Sequence, residues 1–481
     1  MAGELRDKVA RGVAWSLAEK VGTALVQMGV RIVLLNLLLP EDLGVMAILL
    51  AFSTVALVVV DSGFSQTLIR RSDPRSSDFK SVFVFNVAVS LALYALLTAV
   101  SPWVARFYDM PALVPLAPLF YLVLPANALC VIQTTIFVRR FRFALLSKVT
   151  FAASVASGAV AVGMALVGCG IWSIAAQQVL MLLFRAAMLW SLSGWRPSAA
   201  FDAAALRRMA PFSLRLLATD LIAALYNKIP QFFLGGIYAP GTLGYYDQAQ
   251  KLKDLPLSST MTAVQSVVFP ALSRVRDDAP KLAESYRQVA MMTAFALFPV
   301  MAGLSAVAPD LFAALLAEKW EPTVPYLEAI CVAGLFYPVA MVAYNLLKVR
   351  SDGTIIVRLE IVKKVLLSVI FAATIPCSVM AVVRGLVLFA GLEMAINVGA
   401  AMRFTTLGLG RFLRTLLPIV ALTGAMYLAV RFTAAVAPGG APVRLLAEVA
   451  VGAAVYVALA AACRLEAFRV ACSMLRRQLE R

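Results

Sequence analysis

Residues 40–60 read PEDLGVMAILLAFSTVALVVV, and the part that follows Asp42 contains no charged side chain. As a helix, this apolar part would rise roughly 27 Å, close to the ~30 Å thickness of the hydrocarbon core of a bilayer. Comparable apolar segments recur along the whole chain, separated by short polar breaks. We predict fourteen membrane-spanning helices, at residues 13–39, 43–61, 81–105, 111–133, 145–167, 171–191, 211–235, 243–271, 289–308, 325–347, 362–382, 386–402, 413–434 and 443–463.

The composition agrees with an all-α polytopic membrane protein. Of 481 residues, 62% are hydrophobic and 14% are charged, whereas a soluble domain is about half apolar and about a quarter charged. The formal net charge is nevertheless +17, from 43 basic and 26 acidic residues. The location of this excess of cations is therefore the main question that the sequence raises.

Missing residue types exclude several classes of function. The chain has no histidine, which excludes His-ligated metals, His general bases and His proton relays. Its six cysteines form no C-x-x-C pair, and it has no phosphate-binding loop or nucleophile-elbow motif. The basic residues form small clusters between apolar spans, which suits loops facing anionic lipid better than a nucleic-acid groove. We therefore predict no metal, no cofactor, no nucleic-acid partner and no enzymatic activity.

The loop charges predict an orientation in the membrane. If the N-terminus is cytoplasmic, the cytoplasmic set of loops holds 31 basic residues and the opposite set holds 4. Because cytoplasmic loops are enriched in Lys and Arg, this asymmetry predicts that both termini are cytoplasmic and that the number of spans is even.

Two motifs repeat at similar offsets along the chain. The motif P-x-x-L-G occurs at residues 40–44 and 240–244, and LTAVSP at 97–102 matches LSAVAP at 304–309. Both pairs fall at the outer ends of predicted helices, which favours two parallel six-helix lobes around a central cavity, as in several transporter folds. The predicted organisation is an N-lobe of helices 1–6 (1–200), a C-lobe of helices 7–12 (201–410), and helices 13–14 with a basic cytoplasmic tail (411–481).

Eight of the 43 basic residues belong to neither set of loops and lie within predicted spans, where a charge is costly unless it faces a cavity or a partner. Helices 1 and 7 carry polar stripes with the same spacing of seven and four residues, 200 positions apart: Lys20, Gln27 and Arg31, then Asp220, Asn227 and Gln231. Helices 7 and 8 add further cations: Arg215, Lys228, Lys251 and Lys253. We expect these stripes to face a shared cavity that binds an anionic ligand, because Arg and Lys suit a diphosphate.

The predicted roles differ between these residues. Three cations, Arg31, Lys228 and Lys251, are expected to bind the anionic ligand. Three further candidates for the same role are Lys20, Arg215 and Lys253. The amides of Gln27, Asn227 and Gln231 would be polar groups of the cavity, and Asp220 or Asp247 would couple to an ion. The alternatives are internal ion pairs, Glu19 with Lys20 and Asp247 with Lys251, and interhelical hydrogen bonds of Gln27 and Asn227.

Several motifs resemble a known family. They are the hairpin Pro240-x-x-Leu243-Gly244-Tyr245-Tyr246, residues 268–274 (VFPALSR) followed by Asp277-Asp278, GVAWS at 12–16 and DSGF at 61–64. Over roughly residues 5–435 the chain resembles the polysaccharide transporter family of bacterial oligosaccharide flippases, which are Wzx-type and close to the colanic acid exporter branch. The same superfamily contains multidrug efflux pumps and lipid II flippases.

The resemblance implies a function for the predicted cavity. A polyprenyl-diphosphate-linked oligosaccharide would be flipped from the cytoplasmic to the outer leaflet of the bacterial inner membrane by alternating access, for surface polysaccharide biosynthesis. A polysaccharide polymerase and a chain-length regulator are further candidate partners besides the lipid bilayer. The alternatives are a multidrug or other small-molecule efflux antiporter, a lipid II-type flippase, and a scaffold of a polysaccharide assembly complex.

Overall fold

A computed structural model of the chain describes residues 22–23, 26–61, 63–71, 73–198, 200–351 and 354–479. Within these residues the regular structure consists of α-helices and two short 3-10 helices, without a β-strand. The predicted all-α class is therefore confirmed. The chain divides into two compact units, Met1–Gly244 and Tyr245–Arg481. The lobe boundaries proposed from the sequence stay a prediction.

The first unit contains helices α1 to α9 and the first turn of α10. Their bounds are α1 (Val26–Leu37), α2 (Pro40–Asp61), α3 (Phe64–Arg70), α4 (Ser76–Phe107), α5 (Leu113–Phe120), α6 (Val123–Arg139), α7 (Phe143–Leu166), α8 (Ile171–Ser193), α9 (Ala203–Ile237) and α10 (Pro240–Arg274). Helix α2 packs against α9, α4 against α6, and α8 against both α6 and α7. Asp202 caps α9 by accepting hydrogen bonds from the N–H groups of Ala205 and Ala204, and the bond from Ala205 is the main reason that the pKa of its carboxyl is lowered.

The second unit contains the rest of α10 and helices α11 to α18. Their bounds are α11 (Ala279–Ala306), α12 (Ala308–Leu315), α13 (Val324–Arg350), α14 (Thr354–Thr374), α15 (Val379–Ala401), α16 (Leu409–Val436), α17 (Ala441–Ala462) and α18 (Glu466–Leu479), with 3-10 turns at Glu318–Thr323 and Met402–Phe404. The main core joins α10, α11, α13, α15 and α16, and the rings of Tyr286 and Phe412 stack within it at 5.3 Å. The two long C-terminal helices belong to this packing, since α16 contacts α11 and α17 contacts α16 and α12.

Eleven helices of the described residues are long and apolar enough to cross a membrane. Each coincides with one of the predicted spans, so the chain is a multi-pass membrane protein. The three other predicted spans correspond to α1, which is described only from Val26 and is shorter, and to α10 and α14, which do not meet this criterion. The total of fourteen spans stays a prediction.

The first sequence repeat is also a repeat of the backbone. Helix α1 ends at Leu37 and α2 begins at Pro40, and 200 residues later α9 ends at Ile237 and α10 begins at Pro240. Proline suits the first turn of a helix because the N–H that it lacks has no partner there. The second repeat differs between its copies, since α4 continues through Pro102 whereas α11 ends at Ala306 and α12 begins two residues later.

The glycines of the P-x-x-L-G motifs lie where the two hairpins touch. A Cβ atom on Gly44 would lie 1.9 Å from the carbonyl oxygen of Pro240, and a Cβ on Gly244 would lie 2.1 Å from that of Pro40. The close approach is therefore reciprocal, and it places the first turn of α2 against the first turn of α10. At both positions the neighbour is backbone, so no rotamer change could make room for a side chain.

Both predicted limits of span 11 and the predicted start of span 12 are displaced by about two turns, whereas the predicted end of span 12 is correct to one residue. We predicted 362–382 and 386–402, but the helices cover Thr354–Thr374 and Val379–Ala401. The break lies at residues 375–378, where Pro376 lacks the N–H that would bond to the preceding turn and Ser378 caps the next helix, its hydroxyl accepting a hydrogen bond from Ala381 N–H. Arg358, which we counted in a cytoplasmic loop, therefore lies in α14, as do Lys363 and Lys364, which were counted with that loop although the predicted span began at residue 362.

Candidate functional site

The predicted cations of α10 lie beside carboxylates of the same helix. The Nζ atom of Lys251 lies 2.6 Å from Oδ2 of Asp247, one turn earlier. Asp247 is buried and Lys251 is half-buried. The structure thus brings two predicted site residues into contact, in the internal ion pair that the alternative interpretation describes. Lys251 is a predicted ligand-binding residue and Asp247 a predicted ion-coupling residue. The ion pair tests neither role, so both roles stay predictions.

Lys253 belongs to a second polar cluster on α10. Its Nζ atom lies 3.0 Å from Oδ1 of Asp254 and donates a hydrogen bond to Oε1 of Gln250 at 3.1 Å. Gln250 in turn donates to the buried hydroxyl of Tyr246 at 2.8 Å. Each of these polar groups therefore has a partner, which lowers the cost of placing them in a membrane-length helix.

The predicted site residues of α9 differ in exposure. Gln231 is buried, Asp220 and Lys228 are half-buried, and Arg215 and Asn227 are exposed. Helix α9 has 35 residues, so it is roughly 52 Å long and Lys228 lies roughly 14 Å from its C-terminal end. A cation at this depth requires a polar space or a partner. Within the described part of the chain, the buried Oε1 atom of Gln231 has no hydrogen-bond partner.

The predicted residues of α1 are described in part. Gln27 and Arg31 are both half-buried on this helix, and Arg31 lies roughly 9 Å before its end at Leu37. Lys20 lies outside the residues that the structure describes. Arg31 and Lys228 are thus on different helices of the first unit, while Lys251 and Lys253 are in the second unit.

A buried lysine that the sequence analysis assigned to a loop forms a cluster in the second unit. Lys363 of α14 is 3% exposed, and its Nζ atom lies 2.5 Å from Oε1 of Glu360 and 3.3 Å from Oε1 of Glu393 on α15. The ammonium group also lies 5.1 Å from the centre of the Tyr344 ring on α13. Glu360 and Lys363 are three residues apart, a spacing that predicts an ion pair if both lie on one helix. We did not predict this pair because the predicted span began at residue 362 and so excluded Glu360.

We expect the substitution Lys363→Ala to destabilise the protein. It removes the only cation within ion-pair distance of Glu393 among the described residues and leaves a cavity, which should lower the free energy of unfolding by about 1–3 kcal/mol. The measurement is thermal unfolding of the detergent-purified protein. The control is Arg358→Ala, an exposed basic residue of the same helix that should change little. Equal effects of the two substitutions would contradict a structural role of Lys363.

A second cluster in the second unit combines carboxylates and arginines. Asp310 of α12 accepts hydrogen bonds from Nε and Nη2 of Arg444 at 3.0 and 2.7 Å. Glu448 lies one turn after Arg444 on α17, and Arg431 of α16 lies 3.4 Å from Glu328 of α13. Glu448 is not among the residues that we predicted for a site. It could have been noticed in the sequence as a lone carboxylate in an apolar span, four residues after an arginine.

The short helix α18 is joined to α11 by an ion pair. Arg287 donates to both carboxylate oxygens of Glu466, at 2.6 and 2.9 Å, and also to Glu284. These bonds lower the pKa of the Glu466 carboxyl, chiefly through the hydrogen bonds with Arg287. The start of the C-terminal segment is thereby held against the second unit.

The sequence of the chain shows which protein family it belongs to. The pattern of a family described as "Polysaccharide biosynthesis protein" matches residues 33–325, more than half of the chain. The protein belongs to this family. The matched residues include both P-x-x-L-G hairpins and the cations of α9 and α10.

Characterised members of related sequence have names that refer to cell-surface polysaccharides. The chain is 23% identical over 331 residues to the succinoglycan biosynthesis transport protein ExoT of Rhizobium meliloti, covering 69% of this chain and 67% of that protein. It is 24% identical over 375 residues to the lipopolysaccharide biosynthesis protein WzxC of Escherichia coli, covering 75% of this chain and 73% of that protein.

The fold of this polysaccharide biosynthesis protein is similar to that of a solved flippase. The lipid II flippase MurJ, in an inward closed conformation, superposes with a TM-score of 0.72 at 14% sequence identity. The match covers 98% of this chain and 100% of that chain. At this identity the likeness concerns the fold alone, and it agrees with the all-α membrane architecture that the sequence predicted.

Proposed function

We propose that the protein is a flippase that moves polyprenyl-diphosphate-linked oligosaccharide repeat units from the inner to the outer leaflet of a membrane. It acts by alternating access of two lobes and contributes to surface polysaccharide biosynthesis. It is a transporter and not an enzyme. Membership of the polysaccharide biosynthesis family supports this proposal, and so do the names of the relatives with similar sequences.

One observation carries the choice of an anionic, lipid-linked substrate. In a family described by polysaccharide biosynthesis, this chain places the half-buried cation Lys228 roughly 14 Å inside the end of the membrane-length helix α9. A cation on a lipid-facing surface at that depth would cost several kcal/mol, at about the magnitudes found for insertion of charged residues. This cation is therefore suited to a polar cavity, where a diphosphate headgroup can offset its charge.

The charge asymmetry of the loops supports an orientation with both termini in the cytoplasm. In a bacterium the membrane would be the inner membrane, where polyprenyl-linked sugars are assembled and where the substrate would enter from the cytoplasmic leaflet. A polysaccharide polymerase and a chain-length regulator are the protein partners that we propose, since the flipped repeat unit requires a later polymerisation step.

Translocation by the purified protein tests this function. The protein is reconstituted into vesicles that contain a polyprenyl-diphosphate-linked oligosaccharide with a fluorescent group, and the fraction accessible to an external quencher is followed with time. We expect fluorescent lipid to cross faster in these vesicles than in protein-free vesicles and in vesicles with an unrelated polytopic protein. The same vesicles are tested with lipid II and with an organic cation.

Each result of this comparison has a clear meaning. Translocation of the oligosaccharide-linked lipid with little transport of the organic cation supports the proposal. Transport of the organic cation alone would replace it with a multidrug efflux antiporter, and movement of lipid II alone would replace it with a lipid II-type flippase. No acceleration with any of the three would favour a scaffold of an assembly complex.

A further inference from the structure

The ion pair of Asp310 and Arg444 uses only part of the Asp310 carboxylate. Both hydrogen bonds from the Arg444 guanidinium go to Oδ1, at 3.0 and 2.7 Å. The side chain of Asp310 is 8% exposed, so its second oxygen is largely withdrawn from water. That carboxylate therefore retains an acceptor that this arginine does not satisfy.

Glu448 is the next acidic residue of this cluster. It is 1% exposed, and among the residues that the structure describes neither of its carboxylate oxygens has a hydrogen-bond donor. Glu448 lies one helical turn after Arg444 on the same face of α17, and Arg444 contacts Asp310, so the Asp310 carboxyl is a close electrostatic neighbour of Glu448. Two ionised carboxylates cannot bond to one another because each is only an acceptor. A proton between them converts the contact into a hydrogen bond.

Protonation is also favoured by the cost of the alternative. A buried carboxylate without donors loses its hydration and gains no compensating bond, so it usually takes up a proton. A nearby carboxylate adds repulsion to this cost. A protonated Glu448 would instead donate to Asp310, which would keep its negative charge and its bond to Arg444. The cluster of these three groups would then be neutral.

The charged groups around Glu448 come from every helix that packs nearby. Asp310 lies on α12, Arg444 on α17 itself, and Arg431 on α16. Arg431 is 3.4 Å from Glu328 of α13, and this pair has a balanced charge. The positive charges of the arginines oppose protonation of Glu448, but each already has a carboxylate partner.

A cavity gives this cluster a route to water. It has a volume of about 770 Å³ and is lined by Asp310 and Arg444 together with two further carboxylates, Glu318 and Glu321. Glu448 is not one of its lining residues, whereas Asp310 and Arg444 are. A proton could therefore pass between Glu448 and the cavity by way of the Asp310 carboxylate.

We propose that Asp310 and Glu448 form a proton-binding site, in which Glu448 holds a proton that it shares with Asp310 and exchanges through the adjoining cavity. Arg444 holds Asp310 in place and keeps it ionised. A sodium ion fits this site less well, because the guanidinium 2.7 Å from Oδ1 would repel a metal cation. The site differs from the coupling candidates Asp220 and Asp247, which lie on α9 and α10.

A proton site beside a cavity allows a proton gradient to act on the second unit. The conformation of α12 and α17 would depend on the charge of Glu448, because its deprotonation adds a second negative charge beside Asp310, which is paired with Arg444. Coupling of this change to transport rests on the proposed function. Proton binding itself does not, and it can be measured without substrate.

Labelling with dicyclohexylcarbodiimide tests the site, because this reagent modifies protonated carboxyl groups in apolar surroundings. The full-length protein in lipid vesicles is treated over a range of pH and digested with trypsin, which releases residues 445–464 with Glu448 as the only carboxylate side chain. Mass spectrometry should find this peptide modified. Above the pH at which the proton leaves, the modified fraction should fall about tenfold for each further pH unit.

Two variants give the proposal its specificity. The substitution Glu448→Gln preserves a hydrogen-bond donor to Asp310 and should abolish modification of this peptide. The substitution Asp310→Asn removes the negative charge that favours the proton and leaves Arg444 to stabilise an ionised Glu448, so modification should decrease severalfold. Glu284→Gln is the control, because this carboxylate of the same unit pairs with Arg287 and not with the arginines around Glu448, and it should leave the modification unchanged.

Three results would overturn the proposal. They are an unmodified peptide at every pH, modification that does not vary with pH, and modification that Asp310→Asn leaves unchanged. Protection by sodium at constant pH would assign the site to a metal cation instead. None of these outcomes depends on translocation, so the site and the proposed function can fail separately.

Discussion

Replacing Gly44 by alanine is expected to prevent the two repeated hairpins from packing. The added Cβ would lie 1.9 Å from the carbonyl oxygen and 2.6 Å from the carbonyl carbon of Pro240. Overpacking of a well-filled interior costs about 1–3 kcal/mol and occasionally more. The cost should reach or exceed the upper end here, because the clash is with backbone and relief requires that α10 or α2 moves as a whole.

The measurement is the amount of folded protein in the membrane and its thermal unfolding after purification. Gly244→Ala should have a similar effect, since its Cβ would lie 2.1 Å from the carbonyl oxygen of Pro40. The matched control is Gly163→Ala, a helical glycine of the same unit with open space around it, which should be neutral or stabilising by up to about 1 kcal/mol. Wild-type stability of both hairpin variants would refute the reciprocal contact.

Removing the charges of Arg31 and Lys228 together is expected to abolish transport while the protein remains inserted. Hydrogen bonds to charged groups contribute about 1.5–3 kcal/mol each. Loss of two such bonds to a diphosphate would therefore weaken binding by roughly a hundredfold or more. The measurement is the initial rate of translocation by Arg31→Ala/Lys228→Ala in the vesicle assay described above, at equal amounts of reconstituted protein.

The control for this variant removes the same total charge elsewhere in the first unit. Arg106 and Arg207 are both exposed and are not among the predicted site residues. The double substitution Arg106→Ala/Arg207→Ala should retain most of the rate. Normal translocation by the Arg31/Lys228 variant would exclude these two cations from the binding site, and a similar loss in both double variants would indicate a general effect of net charge.

The sequence alone was sufficient for the class of fold and for its repeat. Apolar segments of membrane length are a local property, so most spans could be located from composition, and the eleven apolar helices coincide with predicted ones. The P-x-x-L-G motif likewise marks the same helix start at Pro40 and Pro240. The error near Pro376 arose because apolar residues continue on both sides of the turn, so hydropathy does not show the break.

The partners of the charged residues depend on contacts between distant parts of the chain. Asp247 and Lys251 are four residues apart on one helix, and the sequence suggested their ion pair. Lys363 and Glu393 are on different helices, as are Asp310 and Arg444, so no spacing rule predicted these pairs. The reason is physical: hydropathy and helical period act over a few residues, whereas the surroundings of a buried charge are set by which helices pack together. Tertiary packing therefore turned Lys363 from a predicted loop charge into a buried one, and placed Glu448 against Asp310.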